Sequence, residues 1–176
     1  EELNINKIGD INEIDFTYKL DPVYKAISLT SKSSLLTNRD LIGFVGAPWT
    51  ILVYMINKMS PKKGLPNEFF SDDFLITKLL IIIEKFLKIH IKNQVEAGAN
   101  IIQVFDSWAG LLESKIPEYI YIPTLNIVKY IKKLGVPAIC FPRGIKDYKK
   151  FCDFIKPDMV SIDYDVDPKQ IIKDIK

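Results

Sequence analysis

The sequence predicts an α/β fold built on a parallel sheet. Short runs rich in Val, Ile and Phe alternate with longer segments that have the residue spacing of amphipathic helices. Each apolar run ends abruptly in small or polar residues, as buried strands of parallel sheets do where they lead into functional loops. The clearest of these ends lie in residues 41–50 and 105–110.

Four strands are predicted, and a helix follows each of them. A polar segment covers residues 1 to about 40 and contains one short helix at 22–30. The predicted strands are residues 41–46, 101–105, 136–141 and 159–162. The predicted helices that follow are residues 50–59 and then 71–97, 117–134, 147–155 and 168–176. The order βαβαβαβα implies right-handed crossovers and a single domain over residues 1–176.

Capping and breaking residues set the ends of these helices. Asp72 and Asp73, with Ser71, supply an N-cap and first-turn charge, and Gly98 ends that helix. Pro123 predicts a bend in the next helix. Residues 60–66, which contain two prolines and a glycine, predict a turn-rich connection.

Composition and charge narrow the classes of partner. The 176 residues are 48% hydrophobic and 26% charged, which is ordinary for a globular domain. Because 24 basic and 22 acidic residues nearly cancel and no basic stripe is present, nothing predicts nucleic-acid binding. The most apolar window, residues 74–91, contains five charged or histidine residues, so no membrane span is expected. A small molecule is the expected ligand.

The cysteines and the N-terminus bear on the cellular compartment. Cys140 and Cys152 lack metal-ligand spacing and are too few for a disulfide framework, so a reducing, cytoplasmic compartment is expected. The chain begins Glu-Glu-Leu without Met, a basic region or an apolar region. We therefore expect no export signal and a start that is trimmed or internal.

All conspicuous loops are predicted at one end of the sheet, where the carboxyl ends of parallel strands meet. These loops are residues 46–50, 106–110, 142–144 and 163–167. Neither a phosphate-binding P-loop nor a G-x-G-x-x-G follows any strand, so nucleotide-binding interpretations lack support. From the pattern alone, a flavodoxin-like sheet and a half-barrel both remain open.

Four motifs, in order and each at a strand end, closely resemble the uroporphyrinogen decarboxylase family of haem biosynthesis. The first is Leu-Ile-Gly-Phe-Val-Gly-Ala-Pro-Trp-Thr at 41–50, followed by Tyr54. The second is Gln-Val-Glu-Ala-Gly-Ala-Asn at 94–100, leading into Gln-Val-Phe-Asp-Ser-Trp-Ala-Gly at 103–110. The others are Gly-Val-Pro-Ala-Ile-Cys-Phe-Pro-Arg-Gly at 135–144 and Val-Ser-Ile-Asp-Tyr-Asp-Val-Asp-Pro at 160–168.

The resemblance implies a (β/α)8 TIM barrel, of which this chain holds about four central βα units, the third to sixth strands. It also implies a homodimer that converts uroporphyrinogen III to coproporphyrinogen III by removing four acetate carboxylates, without a metal or organic cofactor. Such chemistry needs protonation of a pyrrole, loss of CO₂ and reprotonation of the methylene carbon, which depend on electrostatics more than on nucleophiles.

The resemblance also assigns residues to the substrate pocket. Tyr54 corresponds to the family's active-site tyrosine and is expected to be catalytic and to reach a substrate carboxylate. Ser107 corresponds to a serine that hydrogen-bonds a substrate side chain, and Arg143 is a candidate carboxylate anchor. Asp106 is expected to make a structural hydrogen bond, because a carboxylate would repel a polycarboxylate substrate.

Two motifs of the family are expected upstream of the matched region: a Gln-Ala-Gly-Arg loop and a Phe-Ser-Asp strand end. Phe70-Ser-Asp72 has the same letters as the second but opens a helix, so an N-cap is expected there. The family's active-site histidine is expected beyond Lys176, and His90 is expected to be structural. We expect Trp49, Trp108 and Cys140 to pack, and the aspartates at 163, 165 and 167 to stabilise turns.

Two alternatives remain beside the decarboxylase. The chain could be a non-catalytic or split remnant that needs a complementing fragment, since half a barrel leaves two strand edges unpaired. Less favoured is a methyltransferase of the same barrel superfamily, since such enzymes bind zinc through His and Cys. This chain has one His and no His-x-Cys motif.

Overall fold

The computed structural model describes residues 8–57, 61, 65 and 72–175. A four-stranded parallel sheet forms the centre of this part of the chain. Its strands are β1, Ile42–Gly46; β2, Ile101–Asp106; β3, Ala138–Pro142; and β4, Met159–Val160. The predicted α/β class and parallel sheet are therefore confirmed.

The strand order separates the two architectures that the sequence pattern leaves open. Each strand pairs with the next along the chain, in the order β1-β2-β3-β4. A flavodoxin-like sheet reverses its strand order at a switch point, whereas a barrel adds each strand on the same side of the last. The described strands show no reversal, so the sheet is an arc of a barrel.

Helices accompany the sheet, and α2, α3 and α4 of the following list contact its strands. They are α1, Glu13–Ser31; α2, Pro48–Asn57; α3, Asp73–Glu96; α4, Ile122–Lys133; α5, Tyr148–Ile155; and α6, Pro168–Ile175. Short 3-10 turns occur at Ser34–Leu36 and Ala109–Leu111. Among the helices of the described ranges, none combines the length and the apolar character needed to cross a membrane.

The first helix is longer than the sequence pattern predicts. The expected helix at 22–30 is the second half of α1, which begins nine residues earlier, after Asn12. The Asn12 side chain caps it by accepting hydrogen bonds from the backbone N–H groups of Ile14 and Asp15 at 2.7 and 3.4 Å. Pro22 suggests a helix start, but it lies inside the helix. The expectation of one short helix in this segment is therefore wrong.

The segment around residues 57–72 is described only in part. Helix α2 begins at Pro48, two residues before the predicted start. The predicted end of that helix at Met59, most of the connection at 60–66, and Phe70 with Ser71 lie outside the described residues. Asp72 is the N-cap of α3 as predicted, since its side chain accepts a hydrogen bond from Leu75 N–H at 2.9 Å.

The predicted bend near Pro123 takes the form of a π-helical turn. Residues Pro117–Tyr121 form this turn immediately before α4, and Ile122 N–H donates to the Pro117 carbonyl. Pro123 lacks an N–H, so the regular pattern of i to i−4 hydrogen bonds cannot continue through it. The wider turn lets the chain enter α4 with Pro123 in its first turn.

The two faces of the sheet differ in their surroundings. On the helix side Val45, Ile102 and Val104 are buried in the main core. On the other face Phe44 is 65% exposed, and its ring lies edge-on to Phe105 at 6.0 Å, which lies edge-on to Phe141 at 6.2 Å. In a complete barrel this aromatic stripe faces the interior.

At the outer edge of β1, a side chain makes the hydrogen bonds that a neighbouring strand would otherwise make. The Leu41 carbonyl accepts from Asn100 N–H, just before β2, and Ala47 N–H donates to the Phe105 carbonyl in β2. Because successive residues of a strand direct their backbone groups alternately to its two edges, the N–H and carbonyl of Phe44 point to the other edge. There the amide of Gln94, from α3, accepts from Phe44 N–H and donates to the Phe44 carbonyl, both at 3.1 Å. Gln94 is 2% exposed, so both backbone groups of Phe44 are satisfied by a buried partner.

Candidate functional site

The carboxyl ends of three strands lie side by side. Gly46 pairs with Phe105, and Asp106 pairs with Pro142. The loops that follow β1, β2 and β3 therefore leave the sheet at the same end. The sequence predicts this arrangement, and it brings the motif residues of the three loops near one another.

Tyr54 meets the loop after β2 through an aromatic contact. It lies on α2, is 46% exposed, and its ring stands edge-on to Trp108 with centroids 5.9 Å apart. Ser107 precedes Trp108 and is partly buried at the end of β2. Through Trp108, Tyr54 therefore contacts the loop that carries Ser107.

Arg143 is joined through its backbone to the loop that follows β2. Its N–H donates to the Asp106 carbonyl at 3.0 Å, and its carbonyl accepts from Gly110 N–H at 2.9 Å. The side chain of Arg143 is exposed. Among the described residues, no hydrogen bond joins the side chains of Tyr54, Ser107 and Arg143 to one another; Tyr54 and Arg143 are exposed and Ser107 is partly buried.

The loops after β2 and β3 touch through glycines. A Cβ built on Gly110 would lie 2.5 Å from the Gly144 carbonyl oxygen, closer than real Cβ atoms come. Gly144 itself has φ +76°, which favours glycine. Its N–H donates to Asp163 Oδ2 at 2.7 Å, and that oxygen also accepts from the Tyr148 hydroxyl at 3.0 Å. Asp163 therefore stabilises a turn, as predicted.

Asp106 points to the helix side of the sheet, away from the aromatic stripe. Its carboxyl is buried at 3% exposure, and Oδ1 accepts from the Thr50 hydroxyl at 2.8 Å. The Thr50 oxygen in turn lies 3.3 Å from Trp108 N–H, which donates to it. Burial raises the pKa of Asp106 to about 7, against the opposing effects of the Thr50 hydroxyl and Trp108 N–H. The structural hydrogen bond expected for Asp106 is present.

This raised pKa predicts a pH-dependent stability. The folded state keeps Asp106 protonated up to about pH 7, whereas the unfolded carboxyl ionises near 3.8. Between these values the folded state binds more protons, so we expect the free energy of unfolding to fall as the pH rises, by at most about 1.4 kcal/mol per unit. Above about pH 7 the contribution of Asp106 is constant. Urea denaturation across this pH range measures it.

The variant D106N isolates this contribution from that of His90. Burial lowers the pKa of His90, so its contribution to stability increases as the pH rises and opposes that of Asp106. The difference between the parent chain and D106N cancels the His90 effect. Parallel curves for the two proteins between about pH 4 and about pH 7 would contradict a protonated Asp106.

Trp49 and His90 have structural surroundings. Trp49 is fully buried, stacks on Tyr119 with centroids 5.8 Å apart, and donates from Nε1 to the Trp108 carbonyl at 3.0 Å. His90 Nδ1 lies 3.0 Å from the Tyr24 hydroxyl oxygen, between α3 and α1. Both match the packing and structural roles expected from the sequence.

The described residues were also searched for reactive thiols and for groups of side chains that could bind a metal. Cys140 is buried and Cys152 partly buried, both are free thiols, and burial raises the pKa of each. No three His, Cys, Asp or Glu side chains in the described ranges are grouped as a metal site would need.

Thr50 is the residue of this site that sequence reasoning misses. It belongs to the Ala-Pro-Trp-Thr motif, yet its partner Asp106 is 56 residues away along the chain. A polar residue among the apolar residues that open α2 was the available signal, because a buried hydroxyl requires a partner.

The sequence was also compared with known proteins. The sequence model of the family described as uroporphyrinogen decarboxylase (URO-D) matches residues 2–176. A uroporphyrinogen decarboxylase of Orientia tsutsugamushi (strain Boryong) is 38% identical over 161 residues, which cover 88% of this chain and 47% of the relative. One from Campylobacter jejuni (serotype O:23/36) is 38% identical over 152 residues, covering 82% and 44%.

A third relative, from Rickettsia bellii, shows the same proportions. This uroporphyrinogen decarboxylase is 37% identical over 152 residues, again 82% of the chain and 44% of the relative. The chain thus spans about half the length of the curated relatives that it matches. Since the family match extends over nearly all of its residues, this chain belongs to the uroporphyrinogen decarboxylase family.

Proposed function

We propose that this chain is the central section of a uroporphyrinogen decarboxylase and forms part of the substrate pocket. The observation that supports this most directly is the contact of Tyr54 with Trp108, beside Ser107, at the carboxyl ends of the strands. Active sites of (β/α)8 barrels lie at this end. The reaction is the decarboxylation of four acetate side chains of uroporphyrinogen III to give coproporphyrinogen III.

In this proposal the exposed groups bind carboxylates of the substrate. The hydroxyl groups of Tyr54 and Ser107 donate hydrogen bonds, and the exposed guanidinium of Arg143 pairs with a carboxylate. Tyr54 also acts in catalysis by orienting the reacting acetate. Asp106 adds little repulsion below about pH 7, since its carboxyl lies behind the sheet and burial raises its pKa to about 7.

The rest of the pocket comes from the rest of the barrel. In the aromatic stripe, Phe44 is exposed and Phe105 and Phe141 are only partly buried, so further strands are needed to cover it. About half of each relative lies outside the match. We propose a cytoplasmic enzyme that acts as a homodimer of complete barrels, with a complementing segment closing this one. The 176 residues alone are expected to have little activity.

A segment replacement tests the proposal. The matching segment of the Orientia tsutsugamushi relative is replaced by this chain, and formation of coproporphyrinogen III from uroporphyrinogen III is assayed. We expect activity in the hybrid. We expect Tyr54→Phe and Ser107→Ala each to lower kcat/KM by about 100-fold, because each removes a donor to a charged group in a water-poor site.

Tyr18→Phe is the matched control. Tyr18 lies on α1, outside the four motifs, and is 79% exposed, so removal of its hydroxyl should leave kcat/KM unchanged. A folded hybrid without decarboxylation would contradict the proposed function. An active hybrid in which both variants equal the parent would contradict the residue roles and leave the function standing.

A further inference from the structure

The loop that carries Ser107 is fixed from behind the sheet. The Asp106 carboxyl accepts from the Thr50 hydroxyl at 2.8 Å, and the Thr50 oxygen accepts from Trp108 N–H at 3.3 Å. Thr50 lies in the first turn of α2, the helix that carries Tyr54 one turn further on. The chain of contacts therefore joins the helix of Tyr54 to the two residues on either side of Ser107.

Two further bonds attach neighbouring loops to the same point. Trp49 Nε1 donates to the Trp108 carbonyl at 3.0 Å, so both backbone groups of Trp108 are bound by α2 residues. Arg143 N–H donates to the Asp106 carbonyl at 3.0 Å. Hydrogen bonds of Asp106 and Trp108 therefore connect all three segments that carry the proposed binding groups: α2, the loop after β2 and the loop after β3.

We infer that Asp106, acting with Thr50, is a positioning residue: it sets the orientation of Ser107 and of the Tyr54–Trp108 ring pair at the pocket surface. The identity of the substrate in this inference rests on the proposed function, whereas the hydrogen bonds from which it is argued do not. Asp106 does not touch the pocket side of the sheet, so it acts only through the residues that it holds.

The surroundings of Asp106 suit a neutral carboxylic acid. Within the described residues, Oδ2 is buried without a hydrogen-bond partner, a position that a charged oxygen would occupy at high cost. From α2 the Thr50 hydroxyl donates to Oδ1, and on β3 burial raises the pKa of the Cys140 thiol, which keeps that thiol neutral. A neutral acid holds the loop without placing a negative charge behind a site for carboxylates.

Spectroscopy of this chain tests the positioning without any substrate. The edge-on pair of Tyr54 and Trp108 gives a near-ultraviolet circular dichroism signal that depends on its geometry. We expect D106N and Thr50→Val to change this signal while far-ultraviolet signals stay constant, and Thr50→Ser to retain it. The control is Asp158→Asn, since Asp158 holds Ala138 N–H at 2.9 Å at the opposite end of β3.

Kinetics of the Orientia hybrid give the second readout. We expect D106N and Thr50→Val to lower kcat/KM by about 10- to 100-fold, mostly through a higher KM, because a displaced loop misplaces the groups that bind the substrate. Thr50→Ser should restore the parent value and Asp158→Asn should keep it. If D106N does not fold, the comparison of Thr50→Val, which preserves the side-chain shape, with Thr50→Ser tests the positioning role.

The two readouts separate failure of this inference from failure of the proposed function. An inactive parent hybrid, with the spectroscopic changes as expected, refutes the decarboxylase assignment and keeps the positioning role. If D106N and Thr50→Val lower only the free energy of unfolding, with unchanged circular dichroism and KM, Asp106 is merely structural and the inference is overturned.

Discussion

Replacing Trp49 with Ala is expected to lower the free energy of unfolding by about 3–5 kcal/mol. The side chain is fully buried, stacks on Tyr119 and donates to the Trp108 carbonyl, so the variant loses packing, leaves a cavity and leaves a carbonyl without its donor. Urea denaturation followed by circular dichroism measures the change.

A graded series separates the two parts of this loss. Trp49→Phe keeps an aromatic ring against Tyr119 but removes the indole N–H. Its free energy of unfolding should therefore lie between those of the parent and the Ala variant. Tyr164→Ala, at a 98% exposed position, should change stability by less than about 0.5 kcal/mol. Equal stabilities for Trp49→Ala and Tyr164→Ala would contradict the buried position of Trp49.

Replacing Gly110 with Ala is expected to separate the loops after β2 and β3. The new Cβ would lie 2.5 Å from the Gly144 carbonyl oxygen, and the contact is with backbone, which cannot rotate away as a side chain can. We expect a loss of about 1–3 kcal/mol in the free energy of unfolding. In the Orientia hybrid, kcat/KM should also fall, because Arg143 is bonded to Gly110.

Gly9→Ala is the matched control for the backbone clash. A Cβ there would meet its nearest neighbour, Ile82 Cδ1, at 3.9 Å, an ordinary contact distance. Both variants add one methyl group, so their difference isolates the steric effect at Gly110. A Gly110→Ala protein as stable as Gly9→Ala would show that the loops can move apart at little cost.

The parts of the fold that depend on local sequence were predictable. The strands are short apolar runs, and Asp72, Pro123 and Gly135 mark helix ends or irregularities through backbone chemistry that acts within a few residues. Family membership confirms the expected (β/α)8 barrel class, of which the described residues form a four-stranded arc.

The parts that depend on distant contacts were not predictable. Helix α1 has several exposed apolar residues, among them Ile14 and Tyr18, so its pattern does not define one buried face. The contact of Thr50 with Asp106 joins residues 56 apart, and only the packing of α2 against β2 brings them together. That the loops after β1 and β2 leave the sheet at the same end followed from the strand order, but the contact of the Trp108 ring with Tyr54 did not.

The amide of Gln94 gives β1 an edge that is a poor template for aggregation. Exposed edge strands invite pairing with strands of other molecules, because their N–H and carbonyl groups are free. At Phe44 both groups are already bound by Gln94 at 3.1 Å, so an incoming strand must compete with an intramolecular partner at the middle of the edge. While the aromatic stripe is uncovered, as during synthesis of a longer chain, this amide shields the sheet from intermolecular strand pairing.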